Sequence, residues 1–226
     1  MKIRFAIILA AIAAALLPSC DDSDQHTHNP TVYNIVELAS RDESGTVFHY
    51  YPAPGNVPQA LVAKTRSAVD AEPGECVFLG YTETGEPGED GVPVAVKSVA
   101  RILNTQAKIA TEEELRGWDA EPIRLLALWR AGEKIILRCL LTADESPRYF
   151  GLLIDEATLA DQVPTAYIYH RRDNPAPNYT SQYYTAFSLA PLLHPADGQE
   201  APAYTALRVR FANAADPSLS EMTILL

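Results

Sequence analysis

Residues 93–104 read Pro93-Val94-Ala95-Val96-Lys97-Ser98-Val99-Ala100-Arg101-Ile102-Leu103-Asn104. One parity of this stretch holds the apolar residues Val94, Val96, Ala100 and Ile102. The other parity holds the charged residues Lys97 and Arg101. A period of two with charge on one face is typical of a β-strand whose sheet has one buried side. The stretch therefore predicts sheet rather than helix.

Similar short runs precede it, separated by clusters of glycine, proline, asparagine and aspartate that favour turns. The predicted strands of the first half are Thr31–Leu38, Thr46–Tyr51, Ala60–Lys64, Glu75–Tyr81 and Pro93–Asn104. Five strands in about 75 residues are typical of a small closed or partly open barrel, of which the OB-fold is the common case. We therefore predict an OB-like barrel domain over residues 31–104.

The second half is again rich in strands. They are predicted at Ile123–Arg130, Lys134–Leu141, Tyr149–Asp155, Thr165–His170, Tyr183–Leu189, Thr205–Phe211 and Met222–Leu225. Seven short strands in about 105 residues favour a two-sheet sandwich, which we place at 120–226. The fold class is thus all-β, with an N-terminal OB-like small barrel followed by a C-terminal β-sandwich.

Residues 105–119 are predicted to be the linker between these domains. Thr111 followed three residues later by Glu114 has the spacing of a capping box. This pattern predicts a helix of one or two turns, which Gly117 would end.

The N-terminus has the pattern of a lipoprotein signal. Lys2 and Arg4 precede an uncharged stretch, and Leu17-Pro18-Ser19-Cys20 follows it. We predict a signal peptide at 1–19, cleavage before Cys20, lipidation of Cys20, and an acidic tether at 20–30. The acids after Cys20 resemble the signal of surface-exposed lipoproteins of Bacteroidota. The expected location is the cell envelope, as an outer membrane lipoprotein facing the exterior, with the membrane bound through the lipid anchor.

The net charge of the chain restricts its possible partners. The formal net charge is −11, and it becomes −13 when Lys2 and Arg4 leave with the signal. Such a chain is repelled by nucleic acid, which we exclude as a partner.

Cys76 and Cys139 lie in apolar stretches of different predicted domains. We expect two buried free thiols, although an exported protein could also hold a disulfide.

The residues resemble the NigD-like lipoproteins of Bacteroidota over nearly the whole mature chain. Besides the anchor, the resemblance rests on Val94–Leu103, Ile123–Trp129, Ile135–Leu141, Thr165–His170 and Ala186–Leu189. The family implies an OB-like domain followed by a β-sandwich, and it supplies no catalytic residue. One departure is the basic turn Arg171-Arg172-Asp173-Asn174-Pro175, where the family has a short Asn/Gly turn.

No hydrolase, metalloprotease, phosphate-loop or dinucleotide motif occurs. We therefore predict no catalytic residue, no metal, no cofactor and no enzymatic activity. Two alternatives remain open. One is an accessory glycan hydrolase with a carboxylate pair that no local pattern reveals. The other is a purely structural component of the envelope.

The candidate ligand-binding residues are Tyr167, Tyr169, Arg171 and Arg172. Tyr167 and Tyr169 share one strand face, and Ala166 and Ile168 share the other. If the second face is the core, the tyrosines point outward beside two arginines. Tyrosine suits recognition of a protein, peptide or glycan. The alternative is that tyrosine is simply a favoured strand residue.

Overall fold

The computed structural model describes residues 29–52, 57–117, 121–143, 148–172, 179–195, 203–217 and 220–226, without the side chains of residues 143 and 172. The predicted signal peptide, Cys20 and most of the tether lie outside these ranges, as does the Arg172 side chain. The described segments from Thr31 to Leu226 belong to one compact unit. Within them, no helix is both long enough and apolar enough to span a bilayer.

The first five strands close into a barrel. They are β1 (Val32–Asp42), β2 (Gly45–Tyr50), β3 (Gln59–Ala63), β4 (Cys76–Glu83) and β5 (Val92–Arg101). Their order around the barrel is β1-β2-β3-β5-β4. Only β3 and β5 run parallel, and the other pairs are antiparallel. The apolar interior includes Val36, Leu38, Phe48, Leu61 and Leu79. The predicted OB-like barrel is confirmed.

A β-bulge changes which side chains of β5 face this interior. Tyr81 pairs with Val96 and Gly80 pairs with Ser98, so Lys97 is an extra residue. An extra residue reverses the parity of every side chain that follows it. After the bulge Val99 packs against the core, whereas Ala100 is exposed. The prediction that Ala100 shares the buried face was therefore wrong.

The remaining strands form the predicted sandwich. They are β6 (Leu103–Gln106), β7 (Lys108–Ala110), β8 (Arg124–Ala131), β9 (Lys134–Ala143), β10 (Arg148–Asp155), β11 (Thr165–Arg172), β12 (Tyr179–Ser188), β13 (Ala206–Arg210) and β14 (Glu221–Leu225). One sheet has the order β14-β13-β11-β10-β7, and the other has the order β6-β12-β9-β8. Their facing sides bury one core that includes Ile135, Leu137, Leu152, Ile168 and Phe187. The all-β fold class is confirmed.

The segment predicted to be a linker contains the end of one short strand and the whole of a second. Strand β6 pairs with β12, and β7 pairs with β10, so residues 103–106 and 108–110 supply an edge strand to each sheet. Strands of three or four residues are too short to show a period. Helix α1 (Glu112–Arg116) follows, with the predicted capping box at Thr111 and Glu114. Gly117 is its C-cap, so the predicted helix is confirmed. The domain boundaries themselves stay a prediction.

The barrel packs on the outer side of the four-stranded sheet. This junction buries Cys76, Ile102, Ala131, Ile136 and Ala186, with Phe78, Trp129 and Tyr184 packed around them. Gly132 adopts φ +59° in the turn between β8 and β9, and a Cβ there would lie 2.7 Å from the Tyr51 ring. The turn therefore needs glycine both for its backbone conformation and for the contact with the barrel.

The two cysteines of these domains are free and buried, as expected. Cys76 belongs to the junction and Cys139 to the sandwich core. Burial raises the pKa of the Cys76 thiol to about 12. It also raises the pKa of the Cys139 thiol to about 12, although the charge of Arg148 acts in the opposite direction. Thiols with such pKa values are poor nucleophiles at neutral pH.

Candidate functional site

The candidate tyrosines lie on the side of strand β11 that faces away from the core. Ala166 and Ile168 are 0% and 1% exposed, because they face the other sheet of the sandwich. Tyr167 and Tyr169 are half-buried and alternate with them. The tyrosines therefore lie on the outer side of the five-stranded sheet. Arg171 has the same parity and is exposed.

Neighbouring strands add two residues that the sequence analysis missed. Tyr149 of β10 pairs with Arg171, and Arg210 of β13 pairs with Tyr167. Tyr149 is 49% exposed. We call the set Tyr149, Tyr167, Tyr169, Arg171 and Arg210 the tyrosine–arginine face. The alternation of Arg208 and Arg210 with apolar residues shows that Arg210 points outward, but only the strand register shows which residues adjoin it.

A glycine leaves space in this surface. Gly151 lies directly opposite Tyr169 in the antiparallel pair of β10 and β11. A Cβ added at Gly151 would meet nothing closer than the Tyr169 Cβ, at 3.8 Å. On the β10 side, Tyr169 therefore has no side chain directly opposite it, which leaves room there for a flat or extended ligand.

Arginine charge is concentrated at one side of the face. Arg210 Nε donates to Glu221 Oε2 at 2.7 Å, and Arg208 Nε lies 3.5 Å from the other oxygen of that carboxylate. The hydrogen bond with Glu221, followed by one with the Tyr167 hydroxyl, raises the pKa of Arg210. One carboxylate is thus shared by two guanidinium groups, so these three side chains carry a net positive charge.

A cavity of about 260 Å³ adjoins Tyr167 beneath α1, and its lining includes the carboxylates of Glu112 and Asp155. Both carboxylates make structural contacts. Glu112 accepts from Arg116 at 2.6 Å, and Asp155 accepts the Ala157 N–H at 3.0 Å. Among the described cavities, this one is the best candidate for a carboxylate pair, because two carboxylate-bearing residues line it.

A second cavity, of about 430 Å³, lies at the junction of barrel and sandwich. Its polar side chains also hold the fold together. The Asn104 amide bonds both the N–H and the carbonyl of Cys76, at 2.7 and 2.9 Å. Lys134 donates to Glu37 at 2.5 Å. These side chains already make the contacts that join the barrel to the sandwich.

His170 is 1% exposed and stacks on Phe150 with ring centroids 4.8 Å apart. Its Nε2 lies 3.2 Å from Arg148 Nη1, and its Nδ1 lies 3.4 Å from the carbonyl oxygen of Glu121. A guanidinium has no acceptor, so Nε2 must accept and Nδ1 must carry the proton. These contacts make His170 a structural residue of the sandwich.

Metal ligands are not grouped in the part of the chain that the structure describes. No cluster there contains three or more histidine, cysteine, aspartate or glutamate side chains able to hold an ion.

The fold defines a class of all-β proteins in which an OB-like barrel packs on a β-sandwich. No family model matches the chain, and no curated protein matches its sequence. Solved structures do match. A Bacteroides vulgatus protein of unknown function, DUF1344, has a TM-score of 0.65 at 11% identity, over 87% of this chain and 90% of that one.

Two further matches come from the same genus. A NigD-like immunity protein of Bacteroides caccae has a TM-score of 0.59 at 15% identity, over 85% of this chain and 90% of that one. A candidate lipoprotein of Bacteroides fragilis has a TM-score of 0.61 at 10% identity, over 87% and 97%. The chain therefore has the fold of a NigD-like protein, as the resemblance in its sequence implied. At these identities the likeness concerns the fold.

Proposed function

We propose that this chain is a non-enzymatic, lipid-anchored protein of the outer membrane that faces the cell exterior and binds a partner through the tyrosine–arginine face. Two observations support the location. The stretch Leu17-Pro18-Ser19-Cys20 has the pattern of a lipoprotein processing site. The similar structures include a candidate lipoprotein and a NigD-like immunity protein. The observation that carries the binding role is the outward row of tyrosines beside arginines on a sheet whose other side is core.

The chemistry of this face favours an acidic protein, peptide or glycan. Tyrosine rings fixed on a strand offer contact area and lose little conformational entropy on binding. Guanidinium groups form charge-assisted hydrogen bonds with carboxylates. Arg171, Arg208 and Arg210 lie near these rings although the whole chain carries a net charge of −11. Arg172, the fourth predicted residue, follows Arg171 in β11 and has the opposite parity; its side chain lies outside the described part of the chain, so its role in binding stays a prediction.

The binding role can be tested with full-length protein in detergent and arrays of acidic glycans and peptides. A Tyr167→Ala, Arg171→Ala variant should lose most of its captured ligand while its melting temperature stays within about 5 °C. The matched control is Tyr33→Ala, Arg66→Ala, which makes the same changes at exposed residues of the barrel, away from both this face and the other described cavities. Equal capture by the variant and the wild type would refute the proposed face, and so would equal losses in the variant and the control.

The anchor has its own test. Cys20→Ala should abolish labelling by a fatty acid and leave the protein uncleaved or released. Protease added to intact cells should degrade the wild-type protein if it faces outward. Continued labelling of the variant would refute the anchor, and protection from protease would refute the outward orientation.

An accessory glycan hydrolase is the second candidate, and the cavity beneath α1 is the observation that favours it. Its carboxylates would be Glu112 and Asp155. Release of reducing sugar from envelope glycans by the wild type, and its loss in Glu112→Gln, would favour this candidate over the proposed function.

A further inference from the structure

One lateral edge of the sandwich is covered over only part of its length. Strand β6 pairs with Thr185–Ser188 of β12, and β7 pairs with Leu153–Asp155 of β10. Among the described strands, none pairs with Ser181–Tyr184 on the side of β12 away from β9. At this edge β6 pairs with one half of β12, and no described strand pairs with the other half.

A cavity of about 350 Å³ opens at this place. Apolar surface comes from Phe150, Tyr183 and Leu103, and Leu103 is 42% exposed. Phe150 and Tyr183 also pack against the sandwich core. A side chain entering from the open edge would therefore reach the margin of the core, as an inward-pointing residue of an added strand does.

The charge around this opening is positive. Arg101 and Arg148 line the cavity, and the described lining contains no carboxylate. The Arg148 guanidinium lies 5.0 Å from the Tyr183 ring centroid. Arg138 donates to Gln182 at 3.0 Å. Arg101 lies 3.5 Å from the exposed carboxylate of Asp70 and 3.6 Å from that of Glu75, whose side chain is 26% exposed. Long pairs near the surface contribute little, so Arg101 can exchange these partners for a ligand carboxylate.

We infer that this opening binds an extended acidic peptide segment of a partner protein, which pairs with Ser181–Tyr184 of β12 as an added strand. Four residues of β12 span about 13 Å, enough for a short peptide strand. Backbone hydrogen bonds would hold the peptide, apolar side chains on its inner face would enter the cavity beside Phe150 and Tyr183, and carboxylates on its outer face would meet Arg138, which lies with Gln182 on that side of the sheet. This site is separate from the tyrosine–arginine face.

The experiment uses the full chain in mild detergent and a fluorescent six-residue peptide of alternating glutamate and valine, capped at both ends. Fluorescence polarisation should show saturable binding with Kd below about 1 mM. A peptide of alternating lysine and valine should bind at least tenfold more weakly. The glutamate peptide with N-methylated backbone amides should also lose at least tenfold, because it cannot pair as a strand.

A pair of substitutions locates the site. Leu103→Glu adds a carboxylate at the opening and should weaken binding at least tenfold. Leu126→Glu makes the same change at a residue of β8 with nearly the same exposure, 41%, and should stay within twofold of the wild type. The Tyr167→Ala, Arg171→Ala variant should bind this peptide as the wild type does. The tyrosine–arginine face and the peptide site can therefore be refuted independently of each other.

Hydrogen exchange supplies an independent readout. The peptide should slow exchange of amides within Ser181–Tyr184. Absence of saturable binding up to about 1 mM would overturn the inference. Equal binding of the N-methylated peptide, equal effects of the two glutamate substitutions, or protection only elsewhere would also overturn it.

Discussion

Lys134 of β9 donates to Glu37 of β1 at 2.5 Å, and so joins the sandwich to the barrel through an ion pair whose side chains are only 14% and 18% exposed. The charges lie beside the apolar junction that contains Cys76 and Ile136. Removal of one partner would leave the other charge largely desolvated. Such a loss is strongly destabilising when the pair is buried, whereas an exposed pair contributes little.

We therefore expect Lys134→Met and Glu37→Gln each to lower the free energy of unfolding by about 1–3 kcal/mol, with the double variant losing less than the sum. Denaturant unfolding of the four proteins measures this coupling. Glu112→Gln is the control, because Glu112 pairs with Arg116 at 79% and 74% exposure. The control should lose no more than about 0.5 kcal/mol. If Lys134→Met and Glu37→Gln cost no more stability than this control, the prediction is contradicted.

Gly80 of β4 allows the Tyr33 ring to lie against the barrel. A Cβ at Gly80 would lie 2.7 Å from Tyr33 Cε1 and 2.5 Å from Ser98 Oγ. Gly80→Ala must displace both side chains, and we expect it to lower stability by about 1–2 kcal/mol. Thermal unfolding measures the change.

Gly151→Ala is the matched control for that substitution, since its Cβ would make only an ordinary contact at 3.8 Å. Because alanine restricts the unfolded chain, this control should be neutral or stabilising by up to about 1 kcal/mol. In a Tyr33→Ala background the cost of Gly80→Ala should shrink. A cost that does not change there would show that the Tyr33 ring is not its cause.

The sequence predicted the fold class and the strands well, and the errors have local causes. Periodicity located the strands that bury one face, such as β13. It could not show the bulge at Lys97, because Ala100 and Ile102 after the bulge are also apolar and continue the alternation of Val94 and Val96. It also ran the start of β6 into the strand predicted at Pro93–Asn104 and missed β7. These short strands pair because two long strands, β12 and β10, present edges to them. For the candidate site, it identified the tyrosines of β11 but not Tyr149, which strand register brings beside Arg171.

The pairing of β6 and β7 leads to a prediction for limited proteolysis. If residues 103–110 are held in the sandwich, early cleavage should fall at the exposed α1 or in the 84–91 loop rather than between the domains. Mass spectrometry of the first fragments identifies the sites. The fragments should stay associated under native conditions because the junction is packed. Early cleavage within 103–110 would contradict the pairing, and separation of the barrel from the sandwich would contradict the packed junction.

The buried thiols predict a loss of stability at alkaline pH. Burial raises the pKa of Cys76 and of Cys139 to about 12, whereas an unfolded cysteine has a pKa of about 8.5. The folded state therefore retains protons that the unfolded state releases. This contribution to stability is fully present below about pH 8.5 and is lost as the pH rises towards 12. Burial also raises the pKa of Tyr51 and of Tyr81, which acts in the same direction.

Urea unfolding should accordingly show a midpoint that falls steadily from about pH 8.5 to pH 11. Between pH 6 and pH 8 the thiols and tyrosines stay largely protonated in both states, so they should cause no comparable change in the midpoint. A thiol reagent at pH 8 provides the control. With Cys20 replaced by alanine, the native protein should react slowly, and two thiols should react at once in guanidinium because unfolding exposes both. Fast reaction of the native protein would show that the thiols are accessible. An unfolding midpoint that stays constant up to pH 11 would show that their protonation does not stabilise the fold.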